Sequence, residues 1–358
     1  MRMLLVALSF ALAGTAVAQA PKDDPAPVTP EQSQQQRQLS QPGNNADVWR
    51  EVQRGDPNYT SIPGREMNVL IQPPARFLGQ DVRVTAGEAW RQFRNGPMTF
   101  YGGWLVIVVL LILAALYFAF GPVKLHDRPS GRLIHRFSSL EQIAHWSTAI
   151  SFVVLGISGL VMMFGKYLLL PIIGYTLFAW LTALCKNLHN FVGPFFIVSV
   201  LIFIFLFIRD NLPRAYDFKW FARSWAYLTG KQHVPSGRFN AGEKVWFWGG
   251  VIGLSIVVAW SGVILLFPNF DQSRAVMQDA WIWHAGAALI YIALSLGHIY
   301  LGTLGVEGAY QAMRTGYVDE VWAKEHHEIW YNEVKSGRRP QAAGGAVPAG
   351  APHMKDKS

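Results

Sequence analysis

Residues 281–305 read WIWHAGAALIYIALSLGHIYLGTLG, a run with no Asp, Glu, Lys or Arg. A segment this long and apolar has few options. It is stable as a helix across a bilayer, where each backbone polar group must bond inside the segment. The same run carries His284 and His298, fourteen residues apart. At ~1.5 Å and ~100° per residue they lie ~21 Å apart along the axis and within ~40° of one face. Imidazole is costly in hydrocarbon, so two on one stripe are candidates for function. Two arrangements satisfy them. One is a pair of stacked metal centres, for which b-type haem is the natural group because its iron takes neutral imidazoles axially. The other is hydrogen bonding to neighbouring helices.

Further apolar spans follow the same logic at residues 101–120, 145–164, 188–208 and 245–267, and the last span covers 281–304. With 51% hydrophobic and 15% charged residues, the chain is too apolar for an ordinary soluble domain. The stretch 167–184, YLLLPIIGYTLFAWLTAL, also lacks charge, but Pro171, Gly174 and the shortness of its flanks point to an interfacial or re-entrant segment. Lys and Arg partition accordingly. Residues 121–144, 209–244 and 305–358 hold eighteen, whereas 165–187 and 268–280 hold three. The positive-inside rule then places the first set and the C-terminus in the cytoplasm. It also accounts for the net charge of +8 without any nucleic-acid partner.

Ahead of the spans, residues 1–18 have the form of a signal peptide: Arg2, an apolar run and Ala16-Val17-Ala18. Residues 19–60 are rich in Pro, Gln, Asn and Asp and read as a tether. Residues 61–100 are mixed, with a short strand expected at 69–71 and a short helix at 88–93. The expected architecture is an all-α membrane protein. A signal peptide (1–18) and a mostly irregular periplasmic extension (19–100) precede an extra transmembrane helix (101–120). A four-helix core (121–335) and a disordered tail (336–358) follow. The single cysteine, Cys185, excludes an intrachain disulfide, an iron–sulfur cluster held by this chain alone and a CxxCH haem site; it reads as a small apolar residue.

Two more histidines open spans, His145 in EQIAHWSTA and His189 in KNLHNFVGP. Topology fixes the depths: His145 and His298 at the cytoplasmic side, His189 and His284 at the outer side. Depth therefore pairs His189 with His284 and His145 with His298, each pair able to ligate one haem. Gly156, Gly159, Gly193, Gly286 and Gly297 offer room for a porphyrin or for close helix packing. His126, His135, His233, His326, His327 and His353 are expected to be solvated or locally bonded.

Several motifs together resemble one family. AHWS, NLHNFVGP, RFNAGEK, HAGAA with GHIYLG, and VWAKEHHEIWY are similar to the gamma subunit of membrane-bound respiratory formate dehydrogenase, a dihaem cytochrome b, over about residues 132–334. The resemblance implies a bacterial inner-membrane location and two haem b groups on His145, His189, His284 and His298. It implies a quinone, menaquinone or ubiquinone, near the cytoplasmic haem against Asn240, Gly242 and His298. An amide can bond a quinone carbonyl, and glycine permits close approach of a ring. It also implies an iron–sulfur beta subunit and a molybdenum or tungsten alpha subunit that oxidises formate. This chain would be the electron-transfer and quinone-reducing part, with no formate chemistry of its own. Segments before residue 121 lie beyond the family core. Two other readings stand beside this one: a cytochrome b of a nickel–iron hydrogenase or related oxidoreductase, and a haem-free transporter or anchor whose histidines relay protons or pack.

Overall fold

The computed structural model describes residues 86–224, 234–270 and 272–339. The expected signal peptide, the 19–85 part of the extension with its strand at 69–71, His233 and His353 lie outside them. Five helices are long and apolar enough to cross a membrane: Ala89–Phe120, Ser139–Leu168, Leu170–Phe207, Ala241–Leu266 and Arg274–Gly305. The protein is thus an all-α, multi-pass membrane protein with an N-terminal span beside four others.

The first span begins earlier than its hydropathy suggests. Helix α1 (Ala86–Phe93) runs through a wide π-helical turn at Arg94–Met98 into α2 (Thr99–Phe120). Pro97 lies in the wide turn; proline has no N–H to donate, and a π-turn absorbs the lost bond without ending the helix. The expected boundary at 100/101 therefore falls inside a helix. Residues 86–97 and 273–278 belong to one compact unit, where the Trp90 indole donates to the Gln278 carbonyl (3.2 Å). The other described residues form a second unit.

In that second unit, strand β1 (Leu133–His135) leads into α3 (Ser139–Leu168). Ser138 and Glu141 form a reciprocal capping box that starts the helix at a defined residue. Helix α4 (Leu170–Phe207) follows after one residue, but its true corner is Gly174, with φ 75° and ψ 171°. Only glycine takes that conformation without strain. From the corner the chain folds back on itself: Phe178 lies against Gly165, His189 against Gly159, Phe196 against Phe152 and Phe203 against His145. Residues 167–184 are therefore a helical corner rather than one continuous segment. Gly174 divides them between the end of one span and the start of the next, so the expected number of crossings is unchanged.

Helix α5 (Ala215–Ala222) is tied to the next span by a buried pair, Lys244 Nζ to Asp217 Oδ2 at 2.8 Å. That span is α6 (Ala241–Val245), a π-helical stretch at Trp246–Leu254, and α7 (Ser255–Leu266). The last is α8 (Arg274–Tyr300), which ends in a π-turn at Leu301–Gly305. The chain then forms α9 (Ala309–Thr315), β2 (Tyr317–Asp319), α10 (Glu320–His326) and α11 (Glu328–Lys335). β2 pairs antiparallel with β1, Ile134 facing Val318. This packing closes one end of the bundle over Ile134, Phe137, Phe207, Trp322 and Trp330.

The closed end buries charge as well as hydrocarbon. Arg238 bonds Asp210 (2.6 Å) and Glu141 (2.8 Å), Arg339 also holds Asp210 (2.6 Å), and Arg136 lies 3.5 Å from Glu243. The tail is ordered by these bonds to at least Arg339, beyond the expected boundary at residue 335. His326 and His327, expected to be solvated or locally bonded, are each only 2% exposed. His327 bonds the Gly237 carbonyl through Nδ1 (2.7 Å) and lies 3.0 Å from Arg136 Nη2. Burial and the adjacent Arg136 push its imidazole well below the usual histidine range.

Candidate functional site

Three helices, α3, α4 and α8, bring the four span histidines together in two pairs. His145 stands on the second turn of α3 and His298 near the end of α8, their ring centres 6.4 Å apart. His189 in α4 and His284 near the start of α8 have ring centres 6.0 Å apart. The pairing expected from depth is the one the helices adopt, because α3 and α4 run antiparallel and α8 crosses both levels.

These separations fit a shared six-coordinate iron. A metal–imidazole bond of about 2 Å, added to roughly 1.1 Å from ring centre to nitrogen and taken twice, gives about 6.2 Å. Direct packing of two imidazoles has no reason to produce that value at both levels. Room for a planar ring is present too. A Cβ added at Gly193 or at Gly297 would meet nothing within 4 Å. By contrast Gly156 meets Ile292 at 3.8 Å and Gly286 meets the Met98 methyl at 3.6 Å, so these two serve ordinary helix packing.

The pair near the Gly174 corner is held by two copies of one device. Ser158 Oγ is 2.9 Å from His189 Nδ1, and a Cβ added at the next residue, Gly159, would meet the same ring 3.6 Å from Cε1. Ser261 Oγ is 3.2 Å from His284 Nδ1, and a Cβ added at Gly262 would meet that ring 3.1 Å from Cε1. His284 Nδ1 also reaches the Val258 carbonyl at 3.0 Å. In each Ser-Gly step the hydroxyl orients the imidazole and the missing side chain lets it sit against the helix. With Nδ1 occupied, Nε2 is the nitrogen left free to ligate a metal. Sequence reasoning missed both serines, although the recurrence of Ser-Gly in ISGL and WSGV was available to it.

The other pair is bedded in aromatic rings. His298 stacks on Trp246 (5.1 Å, 15°), and His145 packs against Phe203 (6.2 Å). Trp246 also touches Tyr291 (5.7 Å), whose hydroxyl bonds Ser255 (3.0 Å). His145 Nδ1 is enclosed and has no hydrogen-bond partner among the described residues. Nothing in the sequence around Trp246 marks it as a partner of His298, because the two are on different helices.

Asn240 is buried at the start of α6, five residues before Val245 ends it. Its Oδ1 accepts from the Glu243 amide (2.9 Å), and Glu243 Oε2 accepts from the Asn240 amide (2.7 Å). A Cβ at Gly242 would come within 3.0 Å of the Trp220 ring. Helix capping and close packing thus account for both residues without a ligand, as the bare sequence would have it. Trp246 stands between this helix start and His298, one and a half turns along from Asn240.

Comparison with known proteins bears on these positions. A family model described as prokaryotic cytochrome b561 matches residues 136–316, which include all four histidines. The formate dehydrogenase cytochrome b556(fdo) subunit of Escherichia coli (strain K12) is 34% identical over 212 residues, 58% of this chain and 97% of that protein. The nitrate-inducible formate dehydrogenase cytochrome b556(Fdn) subunit of the same strain is 28% identical over 214 residues, 57% of this chain and 93% of that protein. The formate dehydrogenase cytochrome b556 subunit of Haemophilus influenzae is 27% identical over 211 residues, covering 56% and 83%.

Proposed function

The chain belongs to the prokaryotic cytochrome b561 family, and on that premise we propose that it is the membrane cytochrome b subunit of a bacterial formate dehydrogenase, carrying electrons from an iron–sulfur partner to quinone. The observation that carries this reading is the occurrence of two histidine pairs, at 6.0 and 6.4 Å, on crossing spans. His189 and His284 would hold one haem b and His145 and His298 a second. Haem b supplies a one-electron couple at its iron. The protein's part is to fix each imbalance of charge in a dry place: the Ser-Gly steps orient His189 and His284, while Trp246 and Phe203 wall His298 and His145 from water.

The Lys and Arg partition supports a cytoplasmic closed end, with His145 and His298 on that side and the Gly174 corner outside. A quinone would then lie beside His298, its carbonyl accepting from the Asn240 side-chain amide and its ring passing close to Gly242. The shared capping role of Asn240 has to be separated from this one. Asn240→Ser keeps a capping oxygen but shortens the amide away. It should raise the KM for quinone with helicity unchanged, whereas Asn240→Ala should also cost about 1 kcal/mol of stability.

The deciding experiment is a dithionite-reduced minus oxidised spectrum of the purified complex with haem counted per chain. Two b haems are expected, falling to about one in His189→Ala and in His298→Ala. A folded, haem-supplied preparation without haem bands would refute the reading. Copurification of a nickel–iron subunit, in place of a formate-oxidising one, would move the chain to a hydrogenase.

A further inference from the structure

The two histidine pairs differ in what their Nδ1 atoms meet. Beside the Gly174 corner, with Nε2 as ligand, Nδ1–H of His189 donates to Ser158 Oγ (2.9 Å). Nδ1–H of His284 donates to the Val258 carbonyl (3.0 Å) and to Ser261 Oγ (3.2 Å). Both hydroxyls are free to accept, since each gives its own proton to a backbone carbonyl one turn back, Leu155 or Val257. Nearer the closed end, His145 Nδ1 is enclosed with no hydrogen-bond partner among the described residues, and the ring of His298 is stacked on that of Trp246.

A hydrogen bond donated from Nδ1 raises the basicity of Nε2 and makes it a stronger donor to a metal. A stronger donor favours the more positive oxidation state. Resting on the dihaem reading above, we propose that this asymmetry orders the two sites. The His189/His284 site is the lower-potential one, the His145/His298 site is the higher, and Ser158 and Ser261 are the positioning residues that set the difference. With haem held at both pairs, a one-electron transfer from the His189/His284 site to the His145/His298 site would run downhill. No atom moves, and each Nδ1 proton stays on its nitrogen.

Other charges near the two sites do not reverse this ordering. The buried cluster at the closed end comprises Arg136, Arg238 and Arg339 against Glu141, Asp210 and Glu243, three of each sign, so it adds little net field at His145 and His298. Lys186, one turn before His189, would raise the potential there. It is exposed and bonds Asn190 (3.1 Å), so solvent screens it more than the imidazole bonds, which act directly on the ligating ring. A downhill step across the span is also what an electron needs if it moves against a membrane potential, which costs about 2.3 kcal/mol per charge per 100 mV.

The test is a potentiometric titration of the purified complex, with haem absorption as readout. His145→Ala retains only the His189/His284 site and His284→Ala only the other, which assigns each midpoint. The higher midpoint is expected at the His145/His298 site. Ser158→Ala should raise the ferrous-to-ferric ratio of the lower site three- to tenfold at fixed ambient potential, tenfold being about 59 mV for one electron. The higher site should stay in place, and Ser158→Thr should restore the lower value. Ser261→Ala should give a rise in the same direction and serves if Ser158→Ala does not fold. Equal or inverted midpoints, or serine variants that keep both haems with unmoved midpoints, would overturn the proposal while leaving the dihaem scaffold intact. Absence of haem from every variant and from the wild type would instead remove the reading on which it rests.

Discussion

Replacing Gly250 with alanine should displace Trp246 from His298. A methyl carbon built on Gly250 would lie 2.4 Å from both Cε3 and Cζ3 of the indole and 3.0 Å from Cη2. Ordinary contact begins at 3.4 Å, so the ring has to retreat by about 1 Å in a close-packed interior. Its neighbours oppose that retreat. It is stacked at 5.1 Å on His298 and lies 5.7 Å from Tyr291, which is buried and bonded to Ser255. Overpacking of this kind costs about 1–3 kcal/mol. Gly to Ala in a helix returns up to about 1 kcal/mol, so a net loss of about 1–2 kcal/mol is expected. A double-mutant cycle with Trp246→Ala, read as helicity during detergent denaturation in mixed micelles, isolates the clash. With the indole gone, Gly250→Ala should become neutral or stabilising, and the coupling should be about 1–3 kcal/mol. If Gly250→Ala is harmless beside Trp246, or equally harmful without it, the reasoning fails.

Two further outcomes follow from the closed end. Arg238→Ala removes the guanidinium that holds Asp210 (2.6 Å), Glu141 (2.8 Å) and the Arg136 carbonyl (2.6 Å). Breaking a buried pair costs about 3–5 kcal/mol, and the lower end is expected because Asp210 keeps Arg339; a loss under about 1 kcal/mol would refute this. Glu320 is held down to about 2 from an ordinary 4.5 by the Lys335 ammonium (2.6 Å), the Tyr331 hydroxyl (2.7 Å) and Arg132. A carboxylate with a depressed folded pKa contributes stability above its unfolded value and loses it as pH falls through the folded one. The stability gap between wild type and Glu320→Gln should therefore be full above about pH 4.5 and vanish towards about pH 2. A gap that is flat with pH would show that Glu320 is not held as its neighbours suggest.

The sequence by itself determined the number of spans, and it placed His145 and His298 at one depth and His189 and His284 at another. Both follow from local physics: uninterrupted apolar length sets a span, and a fixed rise per residue turns spacing into depth. It also contained the five motifs that resemble the gamma subunits. Tertiary structure alone decided the rest. Residues 167–184 look alike on either side of Gly174; what separates them is a single glycine at φ 75°, supported by contacts such as Phe178 on Gly165. His326 and His327 sit in a polar tail, yet β1, β2 and the buried arginines enclose them. The hydroxyl of Ser158 finds His189, and the indole of Trp246 finds His298, across helices far apart in the chain. Hydropathy and periodicity report what a residue does to its own helix. Which side chain completes another's hydrogen bonds or fills its flank is fixed only when the helices pack.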